Sequence, residues 1–228
     1  MIEQKEIKQF VNYCLANLDL TQEPPQGYKS VPLSALDAIF SIGIRYTTVC
    51  NIIERFCAKL ELDWRTSRVT TSEVIAKIEN VEMNTLTTEY LSANRTSSKN
   101  GILKAEAYRQ ALSVLKANKI ESCSDVVQKA NDNTFESAFK AIPGQGSGVS
   151  LKYFYMLCGN EGLVKPDRHI IRFVSMALNR PTLTNQELKE IPMLFEDACQ
   201  LLKKEQFSIT PRRIDYIIWD YMRQGKKR

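Results

Sequence analysis

The spacing of apolar residues constrains the fold of this chain more than any other feature. In one segment the apolar positions recur three and four residues apart behind Thr47 and Thr48, which can cap a helix start. That segment contains Val49, Ile52, Ile53, Phe56, Cys57 and Leu60. Similar spacing recurs in Leu103–Leu115 and in Ile170–Leu178, and no segment alternates strictly enough to predict a strand. The pattern predicts an all-α fold.

Clusters of turn-forming residues divide the predicted helices. They lie at Gln22–Gly27, Ile42–Gly43, Asn94–Gly101, Asn131–Asn133 and Pro181–Asn185. Helices of ordinary length between these clusters would number about eight to ten. The sequence shows no internal repeat.

Composition limits the class of protein. The chain has 228 residues, 43% of them hydrophobic, which is enough for a core in one domain or in two lobes. No apolar run approaches the roughly 20 residues that span a bilayer, and the first residues lack the layout of a secretory signal. We therefore expect a soluble cytoplasmic protein, associated with the nucleoid if the source is bacterial. The six cysteines are scattered and there is one histidine, so no metal or other cofactor is expected.

The charge of the chain mildly favours a polyanionic partner, because 31 Lys and Arg outnumber 26 Asp and Glu. Basic residues crowd the C-terminal segment, where they serve either such a partner or simply a solvated terminus. These residues are Arg212, Arg213, Arg223, Lys226, Lys227 and Arg228.

A glycine-rich turn lies between two short predicted helices. Its sequence is Ile142-Pro143-Gly144-Gln145-Gly146-Ser147-Gly148. Proline ends the first helix, and the glycines permit positive φ and a close approach of the backbone to another molecule. A tight turn into a helix start leaves free amides beside the positive end of the helix dipole, which suits a phosphate oxygen. The alternative is an ordinary helix–helix turn in which the glycines serve geometry alone.

This turn and the later segment Lys165-Pro166-Asp167-Arg168-His169 resemble the helix-hairpin-helix GPD superfamily of base-excision DNA glycosylases. That superfamily includes endonuclease III-like and alkyladenine glycosylase-like enzymes, of which this chain would be a divergent member. The resemblance implies a two-lobed all-α fold with duplex DNA as the partner. Lobe one would span about residues 30–135 and lobe two about residues 1–29 and 136–228, with the hairpin at their junction.

The resemblance implies that Asp167 is the catalytic carboxylate. When an enzyme of this kind releases a flipped base, the sugar acquires oxocarbenium character that an anionic carboxylate stabilises. Asp167 also precedes a predicted helix, so the alternative role is an N-cap, and both roles can hold at once.

Two departures from the family pattern affect the expected mechanism. Members that also nick the strand carry a lysine in the second helix of the hairpin, where this chain has Gly148, so a monofunctional hydrolase without lyase activity is expected. The early loop of many relatives carries glutamines that fill the hole left by the base, whereas Arg45 and Tyr46 stand in that region here as candidate wedge or pocket residues.

The sequence thus predicts a monomeric protein of base-excision repair that binds double-stranded DNA and hydrolyses the N-glycosidic bond of a damaged base. The predicted DNA contacts are Gly144, Gln145, Gly146, Ser147, Gly148, Lys152 and Arg172. The main alternative is a catalytically inactive DNA-binding or adaptor protein that kept the hairpin. A third possibility is a protein-interaction domain in which the hairpin only turns the chain.

Overall fold

The computed structural model describes residues 2–25, 27–129 and 132–225. These residues form twelve α-helices and one π-helical turn, and they contain no strand. The helices are α1 Gln4–Asn17, α2 Val31–Phe40, α3 Tyr46–Lys59, α4 Thr71–Ile78, α5 Met83–Thr85, α6 Lys104–Ala117, α7 Cys123–Gln128, α8 Asn133–Lys140, α9 Val149–Leu157, α10 Arg168–Ala177, α11 Asn185–Lys204 and α12 Pro211–Gln224, with the π-helical turn at Leu86–Tyr90. The all-α prediction is confirmed, with more helices than the turn clusters indicated.

The chain divides into two compact units. Residues 27–159 form a continuous unit, and residues 1–26 with 160–228 form a split unit. The sequence placed the boundary near residue 135, which assigned the hairpin to the lobe of the termini. The structure places the boundary after Gly159 instead, because α8 and α9 pack against α6 and α2. The hairpin therefore belongs to the continuous unit.

In the continuous unit, α2 is the central helix, and all ten of its residues are buried. Helices α3, α4, α6 and α9 pack around it. Lys104 opens α6 and is only 2% exposed, and its Nζ donates to the carbonyl oxygens of Phe40 at 3.0 Å and Ile42 at 2.5 Å. This ammonium neutralises the C-terminal carbonyls of α2 and fixes the loop that follows.

The split unit has its own core, formed where α1 meets α10, α11 and α12. The Phe10 ring lies 5.3 Å from that of Phe195 and meets the edge of Phe173 at 6.2 Å. Aromatic pairs at these distances add to the free energy gained from burial. An N-terminal helix thus completes the core of the C-terminal segments.

The basic residues near the C-terminus differ in their surroundings. Arg213 donates to the carbonyl oxygens of Leu20, Thr21 and Gln22, while Arg212 is paired with Glu161 at 2.5 Å. These two arginines therefore hold the split unit together. The other basic residues named from the sequence in this segment include Lys226, Lys227 and Arg228, which lie outside the described residues.

None of the helices in the described ranges combines the length and the apolar composition that crossing a membrane requires.

Candidate functional site: the glycine hairpin and the carboxylates near Asp167

Aromatic packing holds the two helices of the hairpin together. The rings of Phe139 on α8 and Phe154 on α9 stack at 5.9 Å, and Phe135 meets Tyr155 at 6.3 Å. Phe135, Phe139 and Phe154 are fully buried. This packing presents the turn between the helices as a rigid element.

Two of the hairpin glycines occupy backbone conformations that other residues adopt only with strain. Gly144 has φ +88° and Gly148, the N-cap of α9, has φ +72°. A Cβ on Gly144 would also lie 2.3 Å from Cβ of Thr96, so the loop around residue 96 packs directly on the turn. Gly146 differs, because its φ is not positive and a Cβ there would meet only the Lys140 carbonyl oxygen at 3.7 Å. Local geometry therefore explains the first and last glycines but not the middle one.

The turn leaves main-chain donors available at the start of α9. Gly146 and Ser147 are exposed, and within the described part of the chain their amides have no acceptor. The amide of Val149 reaches only Ser147 Oγ, at 3.4 Å, which is a long hydrogen bond. Amides of this kind at a helix N-terminus form a site for an anion oxygen.

The side chains predicted to contact DNA near the hairpin fall into two groups. Gln145 is 2% exposed, and its Oε1 accepts a hydrogen bond from Ser150 Oγ at 2.5 Å, so this side chain braces the turn from inside. Lys152 is exposed on α9, one turn beyond the free amides. The Lys152 side chain can therefore contact a ligand as it stands, whereas the Gln145 side chain would first have to leave its buried position.

The early loop places Arg45 and Tyr46 at the start of α3. Arg45 is the N-cap residue, and both side chains are exposed. Next to them, an open cleft of about 350 Å³ is lined by Ile42–Ile44 and by Asn94–Ser98. Thr96 belongs to this lining, and its buried Oγ1 has no partner in the described residues. Because Thr96 also packs on Gly144, the cleft adjoins the hairpin within the continuous unit.

Asp167 lies in the split unit, where it is the N-cap of α10. Its Oδ1 accepts the amides of His169 at 2.7 Å and Ile170 at 3.1 Å. Its own amide donates to the Lys165 carbonyl oxygen at 2.6 Å, which closes a tight turn over Pro166. No hydrogen-bond donor in the described ranges reaches Oδ2. Arg172 lies on the same helix and is exposed.

A second carboxyl group, which sequence reasoning missed, lies beside Asp167. Asp215 on α12 is 6% exposed, a main-chain hydrogen bond from Lys165 reaches it, and its Oδ2 has no partner in the described residues. Burial, and next the negative charge of Asp167, raise the pKa of Asp215 well above its ordinary value. The neutral form of the Asp215 carboxyl is therefore favoured.

The described residues contain no group of three or more His, Cys, Asp or Glu side chains that could hold a metal ion. The six cysteines form no disulfide bond within the described residues, and a hydrogen bond with Cys158 lowers the pKa of Cys123.

The described residues thus form an all-helical structure with main-chain amides that lack an acceptor at the start of α9 in the continuous unit, and with two neighbouring carboxyl groups, Asp167 and Asp215, in the split unit. The chain belongs to the family described as "Domain of unknown function (DUF8548)", whose model matches residues 5–223. No curated protein and no solved structure matches the chain. The resemblance to DNA glycosylases therefore stays a prediction.

Proposed function

We propose that this protein binds duplex DNA through the hairpin and is a monofunctional DNA N-glycosylase with Asp167 as its catalytic carboxylate. The observation that carries the proposal is the free donor set at Gly146 and Ser147, on a turn whose middle glycine has no structural need to lack a side chain. A backbone phosphate is the ligand that such a site suits best, because its oxygens accept from amides without regard to base sequence.

Asp167 suits the chemistry of base release. Its Oδ1 is fixed by two amides of α10, which orients the group, while its Oδ2 is left free of donors in the described part of the chain. A fixed anion stabilises the positive charge that develops on the sugar as the base departs, or accepts a proton from an attacking water. As the sequence predicts, the proposal includes a monomer acting in the cytoplasm on damaged DNA, bound to the nucleoid if the source is bacterial.

The test of catalysis is a panel of duplex oligonucleotides, each with one modified base, assayed for abasic sites after alkaline cleavage. Asp167→Asn keeps the cap, since Asn and Asp cap helices equally well, but removes the charge. We expect it to abolish base release while DNA affinity stays equal or rises, because losing an anion cannot weaken binding to phosphate. Full activity in this variant would refute the assignment of Asp167.

Asp132 provides a matched control for this substitution. It is the N-cap of α8, and its Oδ1 accepts two main-chain amides just as Asp167 does. Asp132→Asn therefore removes the same negative charge from a helix N-cap that lies in the continuous unit, away from Asp167 in the sequence. We expect it to retain base release.

The test of DNA binding uses Gly146→Ala. A Cβ at this position fits the fold but obstructs the approach of a phosphate to the amides. We expect duplex affinity to fall several-fold, whereas Gly162→Ala, where a Cβ would meet only Asn160 Oδ1 at 3.5 Å, should leave affinity unchanged. Equal affinity in both variants would place the DNA contact elsewhere.

Exposed basic residues give a second measure of the same interface. Replacing Lys152 or Arg172 with Gln should each lower the slope of log affinity against log salt by about 1 if the residue contacts a phosphate. Lys8 on α1 is a comparable exposed residue for control.

An inactive DNA-binding or adaptor protein is the second candidate. The observation that favours it is the cap role of Asp167, which accounts for an aspartate at this position without any chemistry. Salt-dependent duplex binding without base release across the whole panel would support this candidate. Absence of duplex binding would refute both and favour a protein-interaction domain.

A further inference from the structure

We propose that Asp215 is a positioning residue for Asp167 and acts on it through the main chain of Lys165. The effect of Asp215 on base release rests on the proposed function. The effect of Asp215 on the geometry of Asp167 does not depend on that function, so the two effects can be tested separately.

The contacts around Lys165 form a continuous path between the two carboxyl groups. A main-chain hydrogen bond joins Lys165 to Asp215, and the Lys165 carbonyl oxygen accepts the amide of Asp167 at 2.6 Å. Asp167 in turn holds the first turn of α10 through its Oδ1. The short segment that sets the direction of Asp167 is therefore anchored to α12 by one buried side chain.

The surroundings of Asp215 are unusual for a buried carboxyl group. Its Oδ2 is sealed from solvent and has no hydrogen-bond partner in the described residues, although buried polar atoms are rarely left unpaired. Three charged groups act on it: Asp167 before α10, Lys165 in the preceding loop and Arg212 on its own helix. No titratable group of α11, which also packs on α12, is among the described groups that act on it. Burial and Asp167 together outweigh the two cations, so the pKa of this carboxyl is raised and its neutral form is favoured.

The raised pKa of Asp215 favours a neutral anchor, which avoids placing a second negative charge beside Asp167. If Asp215 lost its proton, two carboxylates would repel each other across the Lys165 turn, and Asp167 would move from the position that α10 imposes. An asparagine at 215 has the same shape and the same acceptor for Lys165 but cannot ionise. The anchoring role is therefore retained in Asp215→Asn and lost in Asp215→Leu.

Asp220 provides the matched control on the same helix. It is also 6% exposed, but its partners are the side chains of Gln22, Arg223 and Gln224. Asp220→Leu therefore removes a carboxyl of equal burial that has no link to Lys165.

The first experiment is nuclear magnetic resonance of the full-length protein, which needs no substrate. We expect the amide signals of Asp167, His169 and Ile170 to shift in Asp215→Leu but to stay in place in Asp215→Asn and Asp220→Leu. The carboxyl carbon of wild-type Asp215 should report a protonated acid at pH 7. Unmoved amide signals in Asp215→Leu would overturn the proposal. If the Leu variant does not fold, Asp215→Ala, which also removes the acceptor for Lys165, takes its place in the same comparison.

The second experiment measures single-turnover base release against pH. We expect Asp215→Asn to match wild type at pH 7, and Asp215→Leu to lose about tenfold or more in rate with unchanged DNA affinity, since misplacing a reacting group is that costly. The wild-type rate should decline at alkaline pH as Asp215 ionises, and this decline should vanish in Asp215→Asn. A decline that persists in Asp215→Asn contradicts the role in the reaction. If the wild-type protein releases no base, the proposed function is wrong. The magnetic resonance experiment then still tests whether Asp215 positions Asp167.

Discussion

Asp215 and Asp220 are both buried on α12, yet their surroundings differ. Among the described residues, three side chains donate to Asp220, whereas Asp215 has one main-chain donor, an oxygen without a partner and an acidic neighbour. A buried carboxyl with so few donors holds its proton more tightly in the folded protein than in the unfolded chain. The folding free energy of the protein must therefore depend on pH through this one residue.

The free energy of unfolding should fall as pH rises above the ordinary Asp value of 3.8, because the unfolded chain then releases a proton that folded Asp215 keeps. The contribution is present below that pH and is lost at about 1.4 kcal/mol per pH unit until folded Asp215 ionises. Asp215→Asn removes this dependence, so it should raise stability at pH 7 relative to its effect at pH 4. Urea unfolding of both proteins at the two pH values measures the difference, and an equal effect at both would contradict it.

Under the proposed function, the glycine at position 148 predicts base release without strand nicking. A Schiff-base lyase needs an amine at this position, and glycine has none. We expect an intact strand with an abasic site, and no covalent protein–DNA adduct on borohydride reduction. Efficient trapping in wild type would implicate another amine, with Lys152 the first to replace.

Gly148→Lys is the complementary test of the same position. Because residue 148 has φ +72°, any side chain there is strained, so Gly148→Gln is needed as a control for strain without an amine. Adduct formation gained by the Lys variant alone would place residue 148 beside the sugar.

The two carboxyl groups differ in how well the sequence revealed them. Asp167 could be predicted because an N-cap is a local feature, read from the residues that follow it. Asp215 could not, because its partner Lys165 is distant in the sequence and its burial depends on how α12 packs. An acid between Ile214, Ile217 and Ile218 was the available signal, since those residues mark the buried face of the helix.

The hairpin glycines Gly144 and Gly146 differ in how strongly the fold requires a residue without a side chain. Gly144→Ala should destabilise the protein by about 2 kcal/mol or more, since it adds left-handed strain and a 2.3 Å contact with Thr96. Gly146→Ala should change stability by less than about 0.5 kcal/mol, because its Cβ meets no close neighbour. Thermal unfolding of the two variants tests the contrast. Equal destabilisation would mean that the fold, rather than a ligand, requires Gly146.

Helix positions were predicted well where apolar spacing is regular, and less well elsewhere. The segment Val49–Leu60 matches α3, and the residues on both sides of the glycine turn match α8 and α9. The segment Met83–Tyr90 was missed, because its short helix passes into a π-helical turn that a period of 3.6 residues does not describe. The boundary between units was also misplaced, since it depends on which helices α8 and α9 pack against.

The core of the split unit depends on its N-terminal helix. Phe10→Ala should cost about 3–5 kcal/mol, because the ring is fully buried between Phe173 and Phe195. Leu15 on the same helix is 41% exposed, so Leu15→Ala should change stability by no more than about 0.5 kcal/mol. Denaturant unfolding of both variants provides the comparison. A small effect at Phe10 would show that α1 is not required for this core.

The interrupted path of the chain through the split unit has a consequence during synthesis on the ribosome. Residues 27–159 emerge as one stretch, so the continuous unit can fold as soon as α9 leaves the exit tunnel. Helix α1 emerges first but must wait with Phe10 and Val11 unburied until α10, α11 and α12 have been made. A stalled or truncated chain would therefore expose the apolar face of α1, which contains Ile7, Phe10, Val11 and Cys14, so we expect chaperones to bind this helix in such a chain.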